Sequence, residues 1–163
     1  MLEIAGRGNS PGQDIRDQLR RDHENALLDL DALREETNDQ RCRAVLRRLR
    51  RGWVIHALAE ETVVYRALEG VEAGGTRADE RFIEHELVEG LFDKLGRCRA
   101  GSLEWRARIN VARSLIVRHI ETEHDEMFAE LSRRFDAAAL DEMGRRFQLA
   151  REKLTLLEDA KAA

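Results

Sequence analysis

The sequence predicts an all-α protein: an antiparallel up-down four-helix bundle with an additional C-terminal helix. Three observations predict it. Charged residues make up 37% of the chain, and apolar residues recur between them at three- and four-residue steps, as amphipathic helices with solvated outer faces require. The one proline, Pro11, lies near the N-terminus, so nothing of that kind breaks a helix further on. Turn-forming residues cluster at a few points and divide the rest into segments of helical length. With 163 residues the chain forms one domain with room for a sizeable core.

Residues 1–13, rich in Gly, Ser and Asn, read as a loose leader. The bundle is expected over residues 14–135 and the extra helix within 136–163. A first helix, about 14–36, carries Ile15, Leu19, Ala26, Leu30 and Leu33 as its apolar stripe, and His23 falls on that stripe. Thr37, Asn38 and Asp39 offer a break and a new N-cap. The second helix, about 39–70, buries Leu46, Leu49, Trp53, Val63, Ala67 and Leu68, with His56 and Glu60 between Trp53 and Val63. Gly70 to Thr76 is the clearest loop. The third helix, about 77–99, turns Phe82, Val88, Phe92 and Leu95 inward, and His85 and Glu89 share that stripe. After Gly101, Ser102 caps a fourth helix, about 103–134, with Ile109, Ala112, Ile116, Met127 and Leu131 inward and His119 and Glu123 between the last two groups. The fifth, about 137–159, presents Leu140, Met143, Phe147, Ala150, Leu154 and Leu157 and packs outside the four-helix core.

Three times, then, a histidine is followed four residues later by a glutamate: His56/Glu60, His85/Glu89 and His119/Glu123. Residues i and i+4 stand one above the other on a helix, so each pair presents an imidazole nitrogen beside a carboxylate oxygen. That donor set suits iron, manganese and zinc. Depth along the bundle tests whether the pairs can meet. Antiparallel neighbours meet where they lie equally far from their connecting turn. His23 and His56 lie roughly 22 to 27 Å from the first turn, and the 56/60 and 85/89 pairs roughly 18 to 25 Å from the second. The fourth helix fits more loosely, its pair lying somewhat farther past its turn. All four helices bring their ligands to one layer.

One histidine on an apolar stripe is more often a hydrogen-bonded core residue than a ligand. Four imidazoles and three carboxylates in a single layer would leave several charges unsolvated unless a cation neutralised them. Glu121 and His124 form one E-x-x-H, a spacing that ferritin-like carboxylate sites use twice, so that template fails. His124 is turned about 100° from Glu123 and reads as peripheral. Glu61, Glu84 and Glu86 adjoin the ligands in sequence and read as solvated or outer groups.

Net charge is −4 with both signs interspersed, and the basic run Arg41 to Arg51 is broken by apolar residues at helical spacing. It reads as a helix face rather than a nucleic-acid surface. Without an apolar run of membrane length or a signal-peptide core, the chain is expected in the cytoplasm, as a monomer or homodimer. Cys42 and Cys98 form no CxxC and are expected as reduced thiols near one end of the bundle.

His23 in Arg-Asp-His-Glu, the stretch His-Ala-Leu-Ala-Glu-Glu-Thr-Val-Val-Tyr from His56, Glu84-His85, and His-Ile-Glu-Thr-Glu from His119 resemble the hemerythrin-like HHE cation-binding family over about residues 14–135. The resemblance implies a non-haem di-iron centre with two iron ions, an oxo or hydroxo bridge, Glu60 and Glu123 as bridging carboxylates, and His23, His56, His85 and His119 as terminal ligands. It further implies binding or sensing of O2, NO or peroxide, with peroxide decomposition or iron oxidation as the enzymatic alternative. Oxygen-carrying members have histidine where this chain has Glu89 and aspartate where it has His124. Arg66 and Ala129 replace a proline common in that family. A carboxylate at Glu89 would enter the iron shell and favour Fe(III).

Overall fold

The computed structural model describes residues 14–68 and 76–162, and among these it shows five helical rods and no strand. The expected leader and nearly all of the expected second loop lie outside the described residues. Helix α1 is Ile15–Glu35; α2 is Asp39–Glu60, continued through a π-helical turn, Glu61–Tyr65, into Arg66–Leu68. Helix α3 is Thr76–Arg97. Helix α4 is Leu103–Thr122, continued through a second π-helical turn, Glu123–Met127, into Phe128–Arg134, and α5 is Ala137–Ala162. Side-chain caps start three of them: Asp14 accepts from Arg16 N at 2.8 Å, Asn38 from Arg41 N at 3.0 Å and Ser102 from Trp105 N at 3.1 Å. Gly101, at φ 74°, makes the left-handed turn that lets α3 give way to α4.

Helix α1 packs on α2, α2 on α3, α3 on α4 and α4 back on α1, the ring of an up-down bundle, and α5 lies against α1 and α2. The core comes in two apolar clusters. One joins Leu30, Leu33, Leu46, Leu49, Trp53, Phe92, Leu95, Trp105, Ile109 and Ile116. The other joins Ile15, Leu19, Val63, Val64, Tyr65, Met127, Leu131, Met143 and Phe147. The buried polar residues His23, His56, Glu60, His85, His119 and Glu123 belong to neither cluster. Trp53 of the first cluster and Tyr65 of the second both lie against them, so the polar layer has an apolar wall on either side.

Two inward assignments need correction. Phe82 is half-exposed, and Arg81 is buried in its place, because the inward positions of α3 are 81, 85, 88, 92 and 95. Leu157 is exposed, because the more enclosed positions at that end of α5 are 151, 154, 155 and 158. The basic run on α2 is taken up locally. Arg43 donates to the carbonyls of Gly96 and Cys98 at 2.9 and 2.6 Å, capping the end of α3, while Arg48 and Arg50 pair with Asp29 and Asp93. Cys42 and Cys98 are free thiols in the first cluster, facing the carbonyls of Glu36 and Lys94. No helix among the described residues is long and apolar enough to cross a membrane.

Candidate metal centre

Six of the seven residues expected as ligands meet in the polar layer. The Nε2 atoms face inward: His23 to His56 at 3.2 Å and His85 to His119 at 3.3 Å. Glu60 Oε2 lies 3.6 Å from His56 Nε2 and 3.5 Å from His85 Nε2. Glu123 puts Oε1 at 3.2 Å from His119 Nε2 and Oε2 at 3.2 Å from His23 Nε2. Two overlapping groups result, His56/Glu60/His85/His119 and His23/His119/Glu123, each with its donor atoms within 4.8 Å of one another.

Glu89 stands apart. It is half-buried and belongs to neither group. On α2 and α4 the residue four on from the histidine, Glu60 or Glu123, is fully buried, whereas on α3 Val88, three on, is buried and Glu89 only half-buried. Inward positions alternate between steps of three and four, and His85 precedes a short step. The same i+4 spacing therefore reaches the layer on two helices and its margin on the third.

The outer faces of the rings explain how they are aimed. His56 Nδ1 lies 3.3 Å from Asp22, His85 Nδ1 3.1 Å from Glu61 and His119 Nδ1 3.2 Å from Glu84. In each case the carboxylate comes from the preceding helix and sits next in sequence to a residue of the layer. An anion on Nδ1 holds the proton there and leaves Nε2 as a lone pair. Sequence reasoning read Glu61 and Glu84 as solvated or outer groups and passed over Asp22. The available signal was an acid directly beside each ligand. His23 alone has no such anion, and its Nδ1 is buried without a hydrogen bond. His124 lies 5.7 Å from His23 between ring centroids, and its buried Nε2 also lacks a partner. His124 is thus half-buried beside the layer, stacked on Phe128.

Tyr65 is the member that spacing within a straight helix conceals. Its hydroxyl lies 3.4 Å from both Glu60 Oε2 and Glu123 Oε1, and its ring is parallel to that of His85. The π-helical turn directly after Glu60 brings residue i+5 round to the same side, and the matching turn after Glu123 brings round Phe128, which has no hydroxyl. Trp53 makes the opposite wall, its ring 5.5 to 5.7 Å from those of His56, His85 and His119.

Electrostatics test whether these residues suit a cation. Burial raises the Glu60 carboxyl well above its usual range and raises Glu123 to about 7. Burial lowers His23 to about 4, His119 to about 3 and His56 well below the usual imidazole value. The Nε2 atoms stand 3.2 to 3.3 Å apart in pairs, and burial disfavours charge on Glu60, Glu123, His23, His56 and His119 alike. Buried carboxyls ionise in such a place only beside positive charge, which a bound cation supplies. The donor set, four nitrogens and two carboxylates, fits metal ions.

Fold and centre together define a metal-binding helical bundle. The hemerythrin HHE cation binding domain matches residues 14–131, and the chain belongs to that family. No curated protein and no solved structure matches it.

Proposed function

We propose that the layer holds two iron ions and that the protein binds or senses a small ligand of the O2, NO or peroxide class at them. The observation that carries this reading is the set of four inward Nε2 atoms and two carboxyl groups, brought within 3.2 to 3.6 Å of one another between apolar walls. The two overlapping groups supply donors for two cations rather than one. His23, His56, His85 and His119 would hold the metal as neutral nitrogen ligands, and Glu60 and Glu123 would supply the anionic oxygens, a mixture suited to iron. Bound iron would supply one-electron chemistry and affinity for small diatomic or peroxide ligands. The chain's own residues do the rest. Asp22, Glu61 and Glu84 keep three imidazoles oriented, and Trp53 and Tyr65 exclude bulk water from the two sides.

One observation favours turnover as the second reading. Tyr65 places a phenol, a group able to release a proton and an electron together, within 3.4 Å of both carboxylates. Peroxide decomposition or iron oxidation would use such a group, and reversible carriage of oxygen would not.

The test is metal analysis followed by spectroscopy. Protein produced with sufficient iron should hold about two irons per chain. The absorption spectrum of the anaerobically reduced form, taken before and after oxygen and then peroxide, separates a persistent adduct from turnover. One zinc per chain with no affinity for iron would defeat the proposal.

A further inference from the structure

The centre is built twice over. Asp22 and Glu84, His23 and His85, His56 and His119, Glu60 and Glu123, and Glu61 and His124 correspond at a spacing of 62 or 63 residues, and both halves place a π-helical turn after the glutamate. The correspondence extends outward in the second half. Arg118, the residue before His119, lies 3.6 Å from Glu84 Oε1, while Glu84 Oε2 faces His119 Nδ1. A guanidinium thus stands behind the carboxylate that stands behind the imidazole.

In the first half the residue before the histidine is not a cation. The counterpart of Arg118 is Ile55, an apolar residue buried beside His56. Asp22 nevertheless has its guanidinium. Arg151 Nη1 lies 3.0 Å from Asp22 Oδ1, and Asp22 Oδ2 lies 3.3 Å from His56 Nδ1. Arg151 belongs to α5, beyond residues 14–131 that match the family. The same helix sets the ring of Phe147, fully buried, edge-on to His56 at 6.3 Å, with the Arg151 guanidinium 5.8 Å from the Phe147 ring.

We infer that Arg151 is a positioning residue of the metal centre: the C-terminal helix supplies the cation that α2 lacks at Ile55 and, through Asp22, holds the His56 ring with Nε2 toward the metal. The inference rests on the metal reading given above. A carboxylate with one oxygen held by a guanidinium has a fixed second oxygen, and the imidazole bonded to that oxygen loses its freedom to turn. Without Arg151, Asp22 loses the guanidinium on its other oxygen, and a ligand that can swing away releases its metal sooner.

The experiment uses the full chain loaded with Fe(II) under anaerobic conditions and challenged with bipyridine, whose coloured ferrous complex reports iron release. The variants are Arg151→Ala, Arg151→Lys and Arg51→Ala. Arg51 fastens the same helix by donating to the Thr155 carbonyl at 3.2 Å and pairing with Asp159, and it is not a partner of Asp22. Arg151→Ala should release one of the two irons about tenfold faster, at the low end of the effect of an outer partner. Arg151→Lys, which keeps a cation within reach of Asp22, should stay within about threefold of the parent. Arg51→Ala should match the parent. Release independent of bipyridine concentration marks loosening of the ligand itself; release proportional to it marks an opened path for the chelator and counts against positioning. Equal rates in parent and Arg151→Ala overturn the role of Arg151. So does equal acceleration by the two alanine variants, or failure of lysine to rescue. A parent that takes up no iron overturns instead the metal reading beneath it.

Discussion

Removing the metal should reverse how stability changes with pH above neutrality. With a cation present, the carboxylates stay ionised and the imidazoles neutral, so stability rises while the imidazoles of the unfolded chain titrate near about 6.5 and levels off above that. In its absence the buried groups follow their own affinities. His23 falls to about 4 and His119 to about 3, both from 6.5 and first through burial. A lowered imidazole contributes stability that is present above 6.5 and lost as pH falls toward the folded value, because the unfolded chain takes up the proton first. Glu123 rises from 4.5 to about 7, and Glu60 rises well above 4.5. A raised carboxyl contributes stability that is present below 4.5 and lost as pH rises through the folded value. For Glu123 the whole span is about 3 kcal/mol. Above about pH 7 the histidine contributions are nearly complete, and the raised carboxyls govern. The metal-free chain should then lose stability as pH rises through the folded value of Glu123, about 7, and on through that of Glu60. Urea unfolding followed by far-ultraviolet circular dichroism, across pH 5 to 9, measures it, and Glu60→Gln should flatten the alkaline limb. A metal-free chain whose stability rises from pH 7 to 8, as the metal-bound chain's does or more steeply, would refute the reasoning.

His119→Ala removes a donor common to both groups, so iron content should fall by more than half and the thermal midpoint should drop, as metal analysis and calorimetry would show. Tyr65→Phe should change stability by about 1 kcal/mol at most, given its 3.4 Å contacts, while peroxide turnover falls and iron content holds; unchanged turnover would remove Tyr65 from the chemistry. Glu89→Gln should leave iron content and azide affinity at parental values, because Glu89 lies outside both donor groups; a loss of iron would restore it as a ligand. His124→Glu should give His23 the carboxylate partner that His85 has in Glu61 and slow iron release several-fold, within the 10–100-fold range of such partners; faster release would show that the imidazole at this position is required.

The sequence by itself determined the all-α class, the helix boundaries to within three residues and the single layer at which four histidines meet. Those follow from local rules. Caps such as Asn38 and Ser102 start helices through hydrogen bonds within one turn, apolar steps of three and four mark one face, and equal distance from a turn sets equal depth. Glu89 shows where such rules end. Its spacing from His85 equals that of Glu60 from His56, and only the rotation of α3 against its neighbours decides that Val88 faces inward instead. Tyr65 shows the same limit in another form, since a π-helical turn shifts every later residue by part of a turn and no spacing in the sequence announces it. The partners of the imidazoles lay furthest from view. Asp22, Glu61, Glu84 and Arg151 act on rings carried by other helices, and which side chains face one another across a bundle is settled when the helices pack, each choosing its rotation to bury its own apolar stripe.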